Sequence, residues 1–269
     1  MSSGELEKRL EQVLLPLTKG GICLAFSGGC DSSLLLAVLA RMRRRTDFPL
    51  LAVHFAGPFQ TEEETAGAED QARQLGIGLK ILRPPVLEIA EVRRNDRRRC
   101  YYCKRMMFGM LAECAQAAGL RTMADGTNAD DLSGYRPGRQ ALQELGVRSP
   151  LAEAGFSKNE VRLLAAELGV PSANRPAAAC LATRFPYDTV LTAELLRRAE
   201  AAERCLREAG FENFRVRCHD SLARIEVSGV EAMRKLLDIR QTVTERLRAL
   251  GFRQITLDLA GFRSGSFDE

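Results

Sequence analysis

The chain has 269 residues, 45% of them apolar and 28% charged, an ordinary balance for a soluble globular protein with room for two unequal domains. Its formal charge of +4 is too small to make nucleic acid the default partner. No apolar run reaches membrane-spanning length, and the start lacks the basic-then-apolar order of a secretory signal, so a cytoplasmic protein is expected, its eight cysteines thiols rather than a disulfide framework.

Leu6, Leu10, Val13 and Leu14 recur at helical spacing over residues 5 to 16. Ile22 to Phe26 then reads as a buried strand, and Leu34 to Leu39 as the buried side of a helix ending in Arg41 to Arg45. Pro49 to Phe55 is a second strand, Thr61 to Leu75 an acidic helix closed by Gly76, and Leu79 to Leu82 a third strand turned away at Pro84-Pro85. A basic stretch, Arg93 to Arg99, leads into Cys100-Tyr101-Tyr102-Cys103 and a helix from about Lys104 to Ala118. Met123 and Ala124 begin a fourth strand, and Ser157 with Glu160 three residues on marks a helix start. Residues 174 to 188 read as a loop or hinge, which places a domain boundary at 188/189. Beyond it come a helix (192–209), strands at 214–216 and 222–227, a helix (230–250) and a strand (254–259).

Strands alternating with crossover helices predict an α/β, Rossmann-like parallel sheet with helices on both faces, over residues 1–188. Residues 189–269 make a smaller α/β domain, expected to bind substrate. Ligands in such sheets sit beyond the carboxyl ends of the strands, where Ser27-Gly28-Gly29-Cys30-Asp31-Ser32-Ser33 and Gly126-Thr127-Asn128 both fall. A glycine pair lets backbone N–H groups close around an anion, the helix start adds partial positive charge, and Ser27, Ser32 and Ser33 can donate hydroxyl hydrogen bonds. A nucleotide pyrophosphate is the first candidate ligand. The loop lacks the lysine of a P-loop kinase, which argues against terminal phosphoryl transfer.

The whole Ser-Gly-Gly-x-Asp-Ser-Ser string resembles the signature of the PP-loop ATP pyrophosphatases, and Gly126 to Asp131 looks like their second nucleotide segment. Arg99 to Lys104, Tyr135-Arg136-Pro137-Gly138, Ala179 to Pro186 and Thr256 to Ser266 resemble one family within them, LarE. That is the family of ATP-dependent sulfur transferases for the nickel-pincer cofactor of lactate racemase. The resemblance implies conversion of pyridinium-3,5-biscarboxylic acid mononucleotide to its thiocarboxylate form with ATP and magnesium. The carboxylate is adenylated, a cysteine attacks, and its carbon–sulfur bond then breaks to leave dehydroalanine.

Cys180 occupies the sacrificial position, with Asp31 in the nucleotide chemistry and Asp31 and Asp131 as metal candidates. Nearby cations favour a thiolate, and Arg184 and Arg175 lie four and five residues from Cys180 in sequence. Arg215 and Arg217 share one strand face, which suits a phosphate or two carboxylates. The resemblance assigns them, with Arg184, Arg263 and Ser264, to the substrate. It also implies a homo-oligomer, six copies being one arrangement, with no membrane and no nucleic-acid partner.

Three alternatives stay open. The same transfer could draw on a [4Fe-4S] cluster held by Cys180, Cys205 and Cys218. A PP-loop tRNA thiolase could use Cys100 and Cys103, or the chain could bind nucleotide without turnover.

Overall fold

The computed structural model of the protein describes residues 2–133, 137–175 and 179–263. In chain order the helices are α1 (Ser3–Thr18), α2 (Cys30–Arg43), α3 (Glu62–Gln74), α4 (Ala90–Arg93), α5 (Arg99–Ala117) and α6 (Pro137–Glu144). They continue as α7 (Pro150–Glu153), α8 (Lys158–Glu167), α9 (Ala193–Glu208), α10 (Val230–Asp238) and α11 (Arg240–Ala249). The strands are β1 (Ile22–Ala25), β2 (Leu50–Phe55), β3 (Leu79–Leu82), β4 (Thr122–Ala124), β5 (Phe214–His219), β6 (Leu222–Val227) and β7 (Gln254–Leu257). They form an α/β fold of two compact units: residues 1–86 with 100–178, and residues 87–99 with 179–269.

In the first unit, β1 to β4 make a parallel sheet in the order β3-β2-β1-β4. Its inner strands are apolar on both faces apart from buried His54, as strands covered on both sides are. Ile22, Leu24, Leu50 and Ala52 turn to one face, against Leu6, Leu10 and Leu14 of α1, Leu34 to Leu39 of α2, Ala68 of α3, and Val161 and Leu164 of α8. Cys23, Val53 and Phe55 turn to the other, against Phe108, Leu111 and Cys114 of α5 and Leu142 of α6. The strand order reverses at β1, which has β2 on one side and β4 on the other. The segments that leave β1 and β4 therefore open side by side at the carboxyl edge, the position where such sheets take ligands.

The second unit holds a mixed sheet in the order β5-β6-β7, antiparallel then parallel, with α9 against β5 and α11 against α9 and β7. Among the differences from the sequence reading, two concern helices it had placed. α5 begins at Arg99 rather than Lys104, because the Asp96 carbonyl accepts the Arg99 N–H (2.9 Å) and its carboxylate the Arg98 N–H (2.6 Å). Cys100 and Cys103 thus lie one turn apart on one helix face. The helix expected over 230–250 is two, parted at Ile239, whose ψ of 15° leaves the helical range.

Candidate functional site

The phosphate-loop candidate is built by three neighbours in the first unit. Gly28 has φ +77°, a conformation only glycine adopts readily, and a Cβ there would come within 3.3 Å of Ala68 on α3. Gln71 of α3 donates to the Gly28 carbonyl (3.2 Å). Buried His54 on β2 bonds the Phe26 carbonyl through Nδ1 (3.0 Å) and Thr65 through Nε2 (3.1 Å). A carbonyl only accepts, so Nδ1 carries the proton and Nε2 accepts from the hydroxyl. Burial lowers the His54 pKa, which favours this neutral form.

Gly29 stands at the N-cap of α2 with no side-chain cap. The first N–H groups of α2 therefore keep no side-chain acceptor from that residue, the arrangement that receives anions. Ser27 is exposed, and its Oγ lies 3.0 Å from Ser32 Oγ. Ser33 differs from its expected role as an open donor: it is buried and its hydroxyl has no hydrogen-bond partner among the described residues.

The segment after β4 closes on the same helix start. A Cβ on Gly126 would lie 2.9 Å from the Ser32 nitrogen and 3.2 Å from its Cα, so the two backbones touch. Buried Asp125 accepts from the Thr127 hydroxyl (2.5 Å) and the Ser149 hydroxyl (2.7 Å), fixing the turn. Asn128 donates through Nδ2 to Asp31 (2.9 Å), and its Oδ1 accepts the Asp131 N–H (3.2 Å). Gly126→Ala is expected to wedge this segment from α2 at about 1–3 kcal/mol of overpacking, and to slow ATP–pyrophosphate exchange more than it lowers Tm. Unchanged exchange would separate residues 126–128 from the nucleotide.

Lys158 is the residue that sequence reasoning missed. Its Nζ pairs with the Asp31 carboxylate, and its N–H donates to Asp130 (2.8 Å). It sits first in α8 behind the Ser157 cap. Read only as part of a helix start, it gave no sign that its side chain crosses to the loop. Among the described residues no group of three His, Cys, Asp or Glu side chains could hold a metal alone. Magnesium that travels with a nucleotide needs only one or two carboxylates beside phosphate oxygens, and Asp31 and Asp131, joined through Asn128, offer two.

Cys180 belongs to the second unit, where it is exposed at the head of a short 3₁₀ turn, Leu181–Arg184. Its carbonyl accepts from the Thr183 N–H (3.0 Å), the Thr183 hydroxyl (2.8 Å) and Arg184 Nη1 (3.2 Å). Arg184 Nη1 also reaches the Ala179 carbonyl (2.9 Å). The rest of this buried guanidinium forms a fork on Glu203 of α9, with Nε and Nη2 each 2.8 Å from a carboxylate oxygen. Arg184 therefore clamps the backbone of the cysteine turn while Glu203 neutralises it.

Arg215 and Arg217 lie on β5, as the alternation requires, but their surroundings differ. Arg217 is buried, bonds Glu226 on β6 (3.0 Å) and donates to the Thr183 carbonyl (2.6 Å) and, at 3.4 Å, to the Arg263 carbonyl. Arg215 packs over the Phe262 ring at 4.9 Å, and no carboxylate of the described residues pairs with it. Burial and the nearby Arg184 push its pKa down to about 10. Glu203 and Glu226 act on it from a distance and the Phe214 carbonyl accepts from its Nη1 (2.6 Å), but both carboxylates are engaged by other arginines, so Arg215 is the cation of this cluster most open to an incoming anion. Arg263 itself is exposed, and Ser264 lies outside the described residues, as do Tyr135, Arg136 and Pro176.

The cluster trio does not assemble. Cys205 is buried on α9, and Cys218 is buried on β5, its thiol pushed up to about 12 by desolvation and facing the Val216 carbonyl (3.7 Å). Cys180 is exposed on its turn, and the three form no metal-holding group. A thiol held protonated by burial is a poor iron ligand. On α5, Cys100 is exposed and the Cys103 thiol faces the Met107 sulfur at 3.5 Å.

The PP-loop domain family matches residues 3–133. A pyridinium-3,5-bisthiocarboxylic acid mononucleotide synthase of Lactiplantibacillus plantarum is 37% identical over 92% of this chain and 89% of its own length. An uncharacterised protein of Synechocystis, slr1717, is 37% identical over 91% of each chain. Among solved structures, an NMN synthetase from Francisella tularensis shares the fold, with a TM-score of 0.53 at 19% identity, over 66% of this chain and 76% of that one. With the glycine-turned loop and the Asp31–Asn128 bridge of the first unit, these matches place the chain among the PP-loop ATP pyrophosphatases, and within them it belongs to the LarE family.

Proposed function

We propose that this protein transfers sulfur, with ATP, to pyridinium-3,5-biscarboxylic acid mononucleotide, one atom per protein molecule, so that two copies give the bisthiocarboxylate used in nickel-pincer cofactor assembly. The observation that carries the reading is Cys180, exposed on a turn whose carbonyls are held by a buried arginine, in a chain similar over nine-tenths of its length to the L. plantarum synthase. An unconstrained loop cysteine would have no need of such a clamp.

The substrate carboxylate attacks the α-phosphorus of ATP, forming an acyl-adenylate and releasing pyrophosphate, for which the Ser27–Gly29 turn and the start of α2 supply donors. The Cys180 thiolate adds to the acyl carbon and AMP leaves with the bonding pair. Loss of the Cys180 Cα proton then breaks the Cβ–S bond, so that the thiocarboxylate departs and dehydroalanine remains. Magnesium would neutralise phosphate charge, with Asp31 and Asp131 as its protein carboxylates. Lys158 holds Asp31 in place beside the helix start. Arg215 is the cation we assign to a substrate carboxylate or phosphate, while Arg184 and Arg217 hold the turn and the strand beside it.

Intact mass spectrometry before and after turnover with ATP, magnesium and the pyridinium acid tests this. Each protein is expected to turn over once per cysteine and lose about 34 Da, the mass of hydrogen sulfide. Unchanged mass over many turnovers would sink the sacrificial step.

A further inference from the structure

None of the steps above draws on the basic stretch that leads into α5. Residues 93–99 carry five arginines and one aspartate, Asp96, a net charge of +4. The segment is fastened within the second unit to residues 185–191. Asn95, fully buried with φ +55°, donates through Nδ2 to the carbonyls of Phe185 (3.2 Å) and Pro186 (2.7 Å). The Arg93 carbonyl accepts the Leu191 N–H at 2.7 Å. Asp188, next to Tyr187, also has a left-handed φ, +63°. Asn and Asp are the non-glycine residues that take this conformation most readily, so both turns form without a glycine and keep the two segments together.

Two guanidinium groups converge on the ring this platform presents. Arg99 lies 4.9 Å and Arg97 5.2 Å from the Tyr187 centroid. Arg99 is only 7% exposed, its Nε is buried without a hydrogen-bond partner, and no carboxylate of the described residues pairs with either arginine. Asp96, the nearest acid in sequence, uses its carboxylate on the Arg98 N–H. Stacking on tyrosine explains one cation. It does not explain two like charges on one ring, nor a buried N–H donor left open, which costs free energy until an acceptor arrives.

We propose that residues 95–99 and 185–188 form an anion subsite, distinct from the nucleotide loop and from Arg215, that takes the phosphate of a small molecule between Arg97 and Arg99 against Tyr187. Two forked cations suit a dianionic phosphate monoester or pyrophosphate better than a single carboxylate. Burial of Arg99 favours a compact ligand over the backbone of an extended nucleic acid. This inference stands independently of the sulfur-transfer reading.

Pyrophosphate titrated calorimetrically into the full-length protein is expected to show two classes of site. Arg97→Ala, at an exposed position, and Arg99→Gln should each weaken one class about tenfold and leave the other. Phenylglyoxal labelling read by peptide mass mapping should modify Arg97 and Arg99 in wild type, and pyrophosphate should slow it about tenfold. Should Arg99→Gln fail to fold, Arg97→Ala and the labelling still decide. Equal binding by wild type and Arg97→Ala with no protection overturns the subsite. An RNA hairpin that displaces pyrophosphate from these arginines at about 150 mM salt overturns the small-molecule assignment.

Discussion

Cys180→Ala is expected to release pyrophosphate from ATP and the pyridinium acid at close to the wild-type initial rate while transferring sulfur at least about a thousandfold more slowly. The two steps separate because different parts of the chain carry them. Pyrophosphate release draws on the loop and α2 in the first unit, whereas Cys180 lies in the second. The turn survives the change, since Thr183 and Arg184 hold it through the Cys180 carbonyl, which alanine retains. An exposed side chain contributes little to folding, so stability should stay within about 0.5 kcal/mol. Measuring pyrophosphate and thiocarboxylate in the same sample checks both halves. If transfer persists in Cys180→Ala and disappears in Cys100→Ser or Cys103→Ser, the reacting sulfur belongs to α5 and the thiolase reading takes its place.

What could be read in the sequence was whatever local chemistry determines. The sheet was legible because β1 and β2 are apolar runs bounded by turn residues, and the crossover helices show clear periodicity. The PP-loop turn was legible because the whole Ser-Gly-Gly-x-Asp-Ser-Ser string is specific, where a glycine pair between strand and helix alone is common. Contacts that depend on side chains from distant segments were not. Lys158 reaches Asp31 across 127 positions, and nothing in Phe156-Ser157-Lys158 beyond a cap announces it. Arg184 looked like a cation for the Cys180 thiolate because it is four residues away; its partner, Glu203, lies on the next helix. The alternation of Arg215 and Arg217 placed them on one face correctly. It could not tell that Glu226 neutralises one of them and that no carboxylate among the described residues pairs with the other. Likewise Cys205 and Cys218 had suitable chemistry for a cluster, but each occupies a core position.

Glu203→Ala is expected to be the most destabilising single change in the second unit, by about 3–5 kcal/mol, because it strands a buried arginine. Glu203 takes both forks of Arg184 and also accepts the Val216 N–H at 3.2 Å, so alanine leaves a charge and a strand amide without partners at once. Side-chain exposures of 5% and 6% put the pair beyond screening, and raising salt from 0.15 to about 1 M should change the loss little. Urea denaturation of wild type and variant gives the difference. The double variant Arg184→Met, Glu203→Leu should recover most of the stability, since apolar residues of similar volume remove the desolvation cost together with the attraction. It should not recover sulfur transfer, because the Ala179 carbonyl loses its Arg184 donor and the Cys180 carbonyl keeps only those of Thr183. A double variant that regains both would mean that the arginine–glutamate pair serves folding alone and that the cysteine turn needs no clamp.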